Sequence, residues 1–258
     1  NCRVMVNSTY RYGNGICLYT GYYSNNGGNV ISNNQISGGN SGVTVYGNGH
    51  YKNYILKNKI VNFSDCGIEV EGQDSLIIKG NSIIVEDDAL LQSKDGICIE
   101  NSNGVEVLQN IINLRVNSGD GVNVERSSNI LIANNFITME GDLTGSGYGI
   151  YFYRSNTNQI FFNSILIDSS FNYAVCVRFR YCSYPGTKIK NNILSNFGNG
   201  YVFYIGRDNN YNYTLPDIDY NNLYTNGQDI CQWNSDYANL TAWQNASNLD
   251  QHSFSVNP

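Results

Sequence analysis

The 258-residue sequence contains little charge, little proline and almost no histidine. Charged residues make up 14% of the chain, the net charge is −6, and there are only 3 prolines and 2 histidines. Because no run of lysine and arginine occurs, nucleic acid and anionic membrane surfaces are unfavourable partners. No stretch of 18 apolar residues occurs either, so we predict no membrane insertion. With His50 and His252 alone available, histidine-based catalysis is also disfavoured.

A short motif, Gly-Ile-x-Val and its variants, returns every 25 to 29 residues. Apolar residues follow the glycine at the first and third positions, which is the period of a strand with one buried face. We interpret the glycine as a turn residue with positive φ, where a side chain would be in the way. The motif glycines are Gly15, Gly42, Gly67, Gly96, Gly121 and Gly149, and Ala174 replaces glycine in the last copy.

Between these strands lies a second recurring motif, Asn-x-Ile or a close relative. We predict that its asparagines stack at one corner of the fold, where their amides bond to one another and tolerate a left-handed backbone. A repeat this short, without a helix, is too small for a propeller blade and favours one coil of a parallel β-helix, with about nine coils in all. The asparagines are Asn34, Asn58, Asn81, Asn110, Asn135, Asn163, Asn192 and Asn222.

These two motifs resemble the repeat of the right-handed parallel β-helix proteins in the pectate-lyase-like superfamily. The resemblance extends from about Val30 to Asn226 and implies an all-β, single-stranded solenoid. We expect the β-helix to occupy residues 1–232 and a capping segment, leading into a further domain of a larger chain, to occupy 233–258. The superfamily contains polysaccharide lyases, glycoside hydrolases, adhesins and non-catalytic surface proteins, so the resemblance implies a secreted or cell-surface location without choosing an activity.

The outward positions of the Gly-Ile-x-Val strand form two predicted columns of side chains. Column neighbours are about 4.8 Å apart because each coil adds one strand. The fourth position after glycine is occupied by Tyr19, Tyr46, Glu71, Glu100, Glu125, Tyr153 and Arg178. The second position is occupied by Cys17, Thr44, Glu69, Cys98, Asn123, Tyr151 and Cys176.

Stacked glutamates repel one another by about 1 kcal/mol in water, so something must compensate for their charge. Three explanations are open. Solvent and the neighbouring Arg126 and Arg154 can neutralise the carboxylates, or the pKa of Glu100 can be raised so that it acts as a proton donor. The third is a calcium ion, because hard cations bind oxygen ligands. Its predicted ligands are Glu69, Glu71, Glu100 and Asp95.

We hypothesise that this face binds an extended polysaccharide or cell-surface glycan and cleaves it as a lyase or hydrolase. Carboxyl pairs catalyse glycoside hydrolysis, and tyrosine rings stack on sugars. The catalytic candidates are Glu71, Glu100, Glu125 and Arg178. The substrate-binding candidates are Tyr19, Tyr46, Asn123, Tyr151, Tyr153, Arg154 and Arg180. The alternative is a non-catalytic adhesive or structural module, because no complete catalytic signature of the superfamily is present.

The seven cysteines are an odd number, and their spacing leaves the pairing open. Candidate disulfides join Cys176 to Cys182, Cys182 to Cys231, or Cys2 to Cys17. No Cys-x-x-Cys motif indicates a zinc site.

Overall fold

The computed structural model describes residues 2–6, 13–19, 27–49, 52–86, 93–141, 145–168, 171, 173–206 and 215–258. These residues form a parallel β-helix, as predicted, and its strands make three sheets, which we call A, B and C. Each complete coil contributes one strand to sheet C, then one to sheet A and one to sheet B. Because sheet C has only eight strands, slightly fewer coils are complete than the nine predicted.

The bounds of the strands follow the repeat. Sheet A comprises β1 (Arg3–Val6), β4 (Gln35–Gly38), β7 (Lys59–Val61), β10 (Ser82–Val85), β13 (Ile111–Arg115), β16 (Phe136–Glu140), β19 (Ser164–Ile167), β22 (Ile193–Asn196) and β25 (Asn222–Thr225). Sheet B comprises β2 (Ile16–Tyr19), β5 (Val43–Gly49), β8 (Cys66–Gln73), β11 (Asp95–Glu100), β14 (Gly119–Glu125), β17 (Ser146–Tyr153), β20 (Tyr173–Arg180), β23 (Tyr201–Ile205), β26 (Cys231–Trp233) and β27 (Ser235–Tyr237). Sheet C comprises β3 (Val30–Ser32), β6 (Asn53–Leu56), β9 (Leu76–Lys79), β12 (Glu106–Leu108), β15 (Leu131–Ala133), β18 (Gln159–Phe161), β21 (Lys188–Lys190) and β24 (Asp217–Asp219). Strand pairing is parallel except between β26 and β27.

The motif glycines lie within or beside sheet B strands, and none of them has positive φ, so our turn interpretation was wrong. Glycine is required there by space. A Cβ atom on Gly96 would lie 2.5 Å from the carbonyl oxygen of Gly121 and 2.6 Å from Cγ2 of Ile112. The other motif glycines face the same two groups on the next coil. At these positions the sheet B backbone therefore packs closely against the isoleucine side chains of sheet A. The solenoid interior is filled this tightly because glycine has no side chain.

The asparagine ladder is confirmed as a continuous chain of hydrogen bonds. From Asn34 to Asn192, each side-chain amide donates to the side-chain oxygen of the next asparagine over 3.0 Å. The last member is Asn221, not the predicted Asn222, because Asn222 pairs with Ile193 one position later. The left-handed backbone also lies one residue before each ladder asparagine, for example at Gln109.

The C-terminal residues pack against the last coil. Helix α1 (Leu240–Ser247) begins at the N-cap Asn239, whose side chain accepts a hydrogen bond from the backbone of Ala242. Trp243 on this helix is fully buried, and its indole nitrogen donates to Asp250 over 2.8 Å. Asp250 in turn accepts a bond from Asn221, so it ends the ladder. The proposed division at residue 233 stays a prediction. Within the described part of the chain, no helix has the length and hydropathy needed to cross a membrane.

Candidate functional site

The outward side chains of sheet B, which we call the B face, form the two predicted columns with one correction. The strand β20 is shifted by two residues from the predicted alignment, so Arg178 pairs with Tyr151 and Arg180 pairs with Tyr153. Cys176 therefore occupies the position of the motif glycine and is fully buried instead of pointing outward. Tyr204 pairs with Arg178 and also belongs to the second-position column.

The three glutamates of the fourth-position column are direct neighbours in the sheet. Glu100 pairs with Glu71 on one side and with Glu125 on the other. The guanidinium group of Arg126 contacts the carboxylates of both Glu100 and Glu125. These contacts agree with the first of our three explanations, in which Arg126 neutralises the charge of the glutamates. Arg154 lies elsewhere, with its guanidinium carbon 5.2 Å from the centre of the Tyr153 ring.

A groove of about 760 Å³ runs along the first five coils of the B face. Tyr19 and Tyr46 lie at one end, with ring centres 5.9 Å apart and planes 21° from parallel. Both rings are largely exposed. The wall is otherwise rich in polar oxygen atoms. The lining residues that are acidic are Asp65, Glu69, Glu71, Glu100 and Glu125.

The four predicted calcium ligands differ in their surroundings. Glu69 accepts hydrogen bonds from the hydroxyl groups of Ser41 at 2.7 Å and Thr44 at 3.2 Å. Glu100 is paired with Arg126, while Asp95 is half-buried and accepts a hydrogen bond from Asn123 on the next coil. Among the described residues, one group of three side chains could hold a metal ion, because its ligand atoms lie within 4.8 Å of one another. Of the four predicted calcium ligands, only Asp95 belongs to this group. The calcium site stays a prediction.

That group consists of Cys66, Asp95 and Cys98, and sequence reasoning did not bring it together. Cys66 and Cys98 form a disulfide with their Cα atoms 6.3 Å apart. The three predicted disulfides are wrong, because Cys2 and Cys17 are exposed free cysteines while Cys176, Cys182 and Cys231 are buried free ones. The motif alignment correctly placed Cys98 on the strand next to β8, which contains Cys66. The disulfide was not predicted because Cys66 precedes the motif glycine and was not assigned to a column.

Asp95 is held by hydrogen bonds from the next coil. Its carboxylate accepts the backbone N–H of Asp120 at 2.7 Å and the side-chain amide of Asn123 at 3.1 Å. Burial is the main cause that raises the pKa of Asp95 to about 6, and the hydrogen bond from Asn123 opposes this shift. The side-chain oxygen of Asn123 is buried without a hydrogen-bond partner. This corner of the groove therefore has a polar acceptor that the described part of the chain does not satisfy.

Beyond the groove, the B face becomes aromatic and basic. The guanidinium carbon of Arg178 lies 4.6 Å from the ring centre of Tyr148 and 5.1 Å from that of Tyr204. Arg180 lies 5.9 Å from the Tyr153 ring. The predicted substrate-binding residues therefore separate into two regions, with Tyr19, Tyr46 and Asn123 in the groove and the others, Tyr151, Tyr153, Arg154 and Arg180, beyond it.

The fold and this face define a parallel β-helix protein with a polar and aromatic binding surface on one sheet. The family model described as the periplasmic copper-binding protein NosD matches residues 1–227. The chain belongs to this NosD family. Among curated proteins, none matches the chain. The right-handed β-helix assignment is confirmed by the match, and so is a location outside the cytoplasm, since the family is periplasmic.

Proposed function

We propose that the protein binds an extended polysaccharide along the groove of the B face. The observation that carries this proposal is the combination of a stacked, exposed tyrosine pair with a row of in-register carboxylates. Tyrosine rings present apolar faces to the C–H groups of sugars, and carboxylates accept hydrogen bonds from sugar hydroxyl groups. Because strands repeat about every 4.8 Å, such a surface extends in one direction, as a polysaccharide does.

The charges of the groove favour a neutral or amino sugar chain. Five acidic side chains line it, and Arg126 neutralises part of the charge of Glu100 and Glu125. A polyanionic chain would be repelled by the remaining carboxylates. Because Arg126 contacts both carboxylates, the arrangement supports binding better than an acid and base pair. Cleavage of the bound glycan by Glu71, Glu100 and Glu125 is a further hypothesis, which the product analysis described below tests.

We expect Tyr46→Ala to weaken binding of a neutral polysaccharide about tenfold, since an aromatic contact is worth roughly 1 kcal/mol beyond the area it buries. Phe136→Ala is the matched control, because Phe136 is similarly exposed, at 48% against 44% for Tyr46, but lies on sheet A. Affinity electrophoresis through a panel of neutral, amino and acidic polysaccharides measures both variants. Equal losses for both variants, or no retardation of the wild type by any polysaccharide, would contradict the proposal.

Product analysis on the same panel decides between binding and cleavage. A lyase releases unsaturated products and a hydrolase releases reducing ends, and Glu100→Gln is expected to abolish either activity. Retention without products favours the non-catalytic alternative. If neither retention nor products are seen, an adhesive or structural role for the solenoid replaces glycan binding.

We propose copper binding as a second function, favoured by the cluster of Cys66, Asp95 and Cys98. Two sulfur atoms and a carboxylate oxygen lie within 4.8 Å of one another. Asn123 donates a hydrogen bond to Asp95, and its own side-chain oxygen has no partner among the described residues. These residues fit a soft metal only when the disulfide is reduced, because thiolates are the ligands that Cu(I) prefers. Reduction of the Cys66–Cys98 disulfide takes two electrons and two protons, which an added dithiol supplies as it forms its own disulfide. Bound copper would supply a redox-active or transferable ion.

We expect the reduced protein to compete for Cu(I) with a chromophoric chelator, and the oxidised protein to compete poorly. Cys66→Ser/Cys98→Ser should abolish this competition, and Asn123→Ala should weaken it about 10- to 100-fold by removing the amide that orients Asp95. Cys2→Ser is the control, since Cys2 is a free cysteine outside the groove. Equal copper retention by the oxidised, reduced and doubly substituted proteins would show that another part of the chain binds it.

A further inference from the structure

Three arginines lie close together on the B face beyond the groove. Within the described residues, Arg154, Arg178 and Arg180 make no ion pair with a carboxylate within 4.0 Å. By contrast, Arg115 pairs with Glu140 and Arg126 pairs with Glu100. The three arginines lie on β20 and at the end of β17, so they occupy neighbouring positions in the sheet. We call this group the arginine patch.

Arg178 is fixed in place by aromatic rings. Four tyrosines surround its guanidinium group, with ring centres between 4.6 and 5.7 Å from the guanidinium carbon. The hydroxyl group of Tyr148 also accepts a bond from Arg178. These rings contact the planar group from several sides without supplying a negative charge. The ring residues are Tyr148, Tyr151, Tyr173 and Tyr204.

Asp120 pairs in the sheet with Tyr148, one of these rings, and is buried. Within the described residues it forms no ion pair with Arg178 within 4.0 Å. The Nε atom of Arg178 is itself buried without a hydrogen-bond partner. Among the described residues, the guanidinium group of Arg178 therefore has no carboxylate within 4.0 Å and one N–H group without an acceptor.

We infer that the arginine patch binds an anionic group, a carboxylate or a sulfate, carried by the ligand that lies in the groove. This inference rests on the proposed glycan function and adds an acidic substituent to it. Guanidinium groups match the geometry of oxyanions with two parallel N–H donors, and the adjacent tyrosines offer faces for the sugar that bears the anion. Tyr151 pairs with Asn123, which lines the groove, so the patch begins one strand beyond it. The B face is thus acidic along the groove and basic beyond it, which selects a glycan with a localised acidic group over a polyanion.

The test compares matched oligosaccharides that are neutral, carry one uronate, or carry one sulfate. We expect either acidic form to bind the wild type about tenfold or more tightly than the neutral form, since a hydrogen bond to a charged group is worth roughly 1.5 to 3 kcal/mol. Arg178→Lys keeps the charge but loses the planar fork, and Arg180→Ala removes an exposed member of the patch. Both variants should lose most of the preference while keeping neutral binding. Arg115→Ala should lose none of it.

Titration of the wild type with sodium sulfate and with glucuronate, followed by the NMR signals of the arginine Nε–H groups, separates the two proposals. Perturbed Arg178 or Arg180 signals without oligosaccharide binding would uphold the anion site and contradict the glycan function. Neutral binding with no acidic preference and no perturbed signal would overturn the anion site alone. If Arg178→Lys does not fold, Arg180→Ala decides the outcome.

Discussion

Gly96→Ala is expected to destabilise the protein by about 3 kcal/mol or more, although it adds a single methyl group. The new Cβ atom would lie 2.5 Å from the carbonyl oxygen of Gly121 and 2.6 Å from a methyl group of Ile112. Overpacking a core typically costs about 1 to 3 kcal/mol, and here the obstruction includes backbone that is fixed by sheet pairing. The free energy of unfolding in denaturant measures the loss.

Gly80→Asn is the matched control for this prediction. Gly80 has φ +68°, and a Cβ atom there would meet only Cγ of Lys57 at 3.5 Å. Asparagine adopts this left-handed conformation more readily than most residues, so we expect a change of about 1 kcal/mol or less. A loss for Gly96→Ala as small as that for Gly80→Asn would mean that lack of space does not require glycine at the motif position.

The chain itself shows the compensation that this explanation requires. Where the glycine is replaced by Cys176, the facing position on the next coil has Leu194 instead of isoleucine. Leucine has no methyl group on Cβ, which leaves more room beside the sheet B backbone. Ile112→Leu is therefore expected to recover part of the stability lost in Gly96→Ala, and the energies of the two changes should be non-additive because the side chains touch.

The fold was predictable because two motifs recur at nearly constant spacing. A side-chain period of two fixed the strands, and the repeated asparagine fixed the corner. The alignment was wrong at two places, and at each of them one motif had changed. In β20 the motif glycine was missing, and Cys176 takes its position. At the end of the ladder, the adjacent Asn221 and Asn222 were both candidates for one ladder position. The columns containing Glu71, Glu100 and Glu125 were predicted correctly, since each of their coils retains its motif glycine.

The parts of the site that depend on side-chain direction were not predictable in the same way. Cys66 and Cys98 belong to different positions of neighbouring repeats, so a comparison of equivalent positions did not pair them. The separation between the acidic groove and the arginine patch depended on a two-residue shift of β20. Such shifts follow from packing between coils, which the spacing of one motif does not determine.

Asn110→Ala is expected to cost about 3 to 5 kcal/mol, because the side chain makes four buried hydrogen bonds. Its amide donates to the carbonyl group of Ile78 and to Asn135, and its oxygen accepts both the backbone and the side-chain N–H of Asn81. Each buried group left without a partner costs roughly 1 to 3 kcal/mol. Asn113→Ala is the control, since Asn113 lies on the exposed face of β13, which begins one residue after Asn110, and it should change stability by less than about 0.5 kcal/mol.

Asn110→Asp distinguishes lost donors from lost shape. Aspartate has nearly the same volume and can still accept both bonds from Asn81, but when ionised it cannot donate to Ile78 or Asn135. Asp250 is tolerated at the end of the ladder because the side chains that bond its carboxylate in the described structure all donate to it, namely Asn221, Trp243 and Ser253. We therefore expect Asn110→Asp to be strongly destabilising at neutral pH and to recover partly in acid, where the protonated carboxyl can donate one bond. A stability loss as small as that of Asn113→Ala would mean that the ladder accompanies the coil without holding it together.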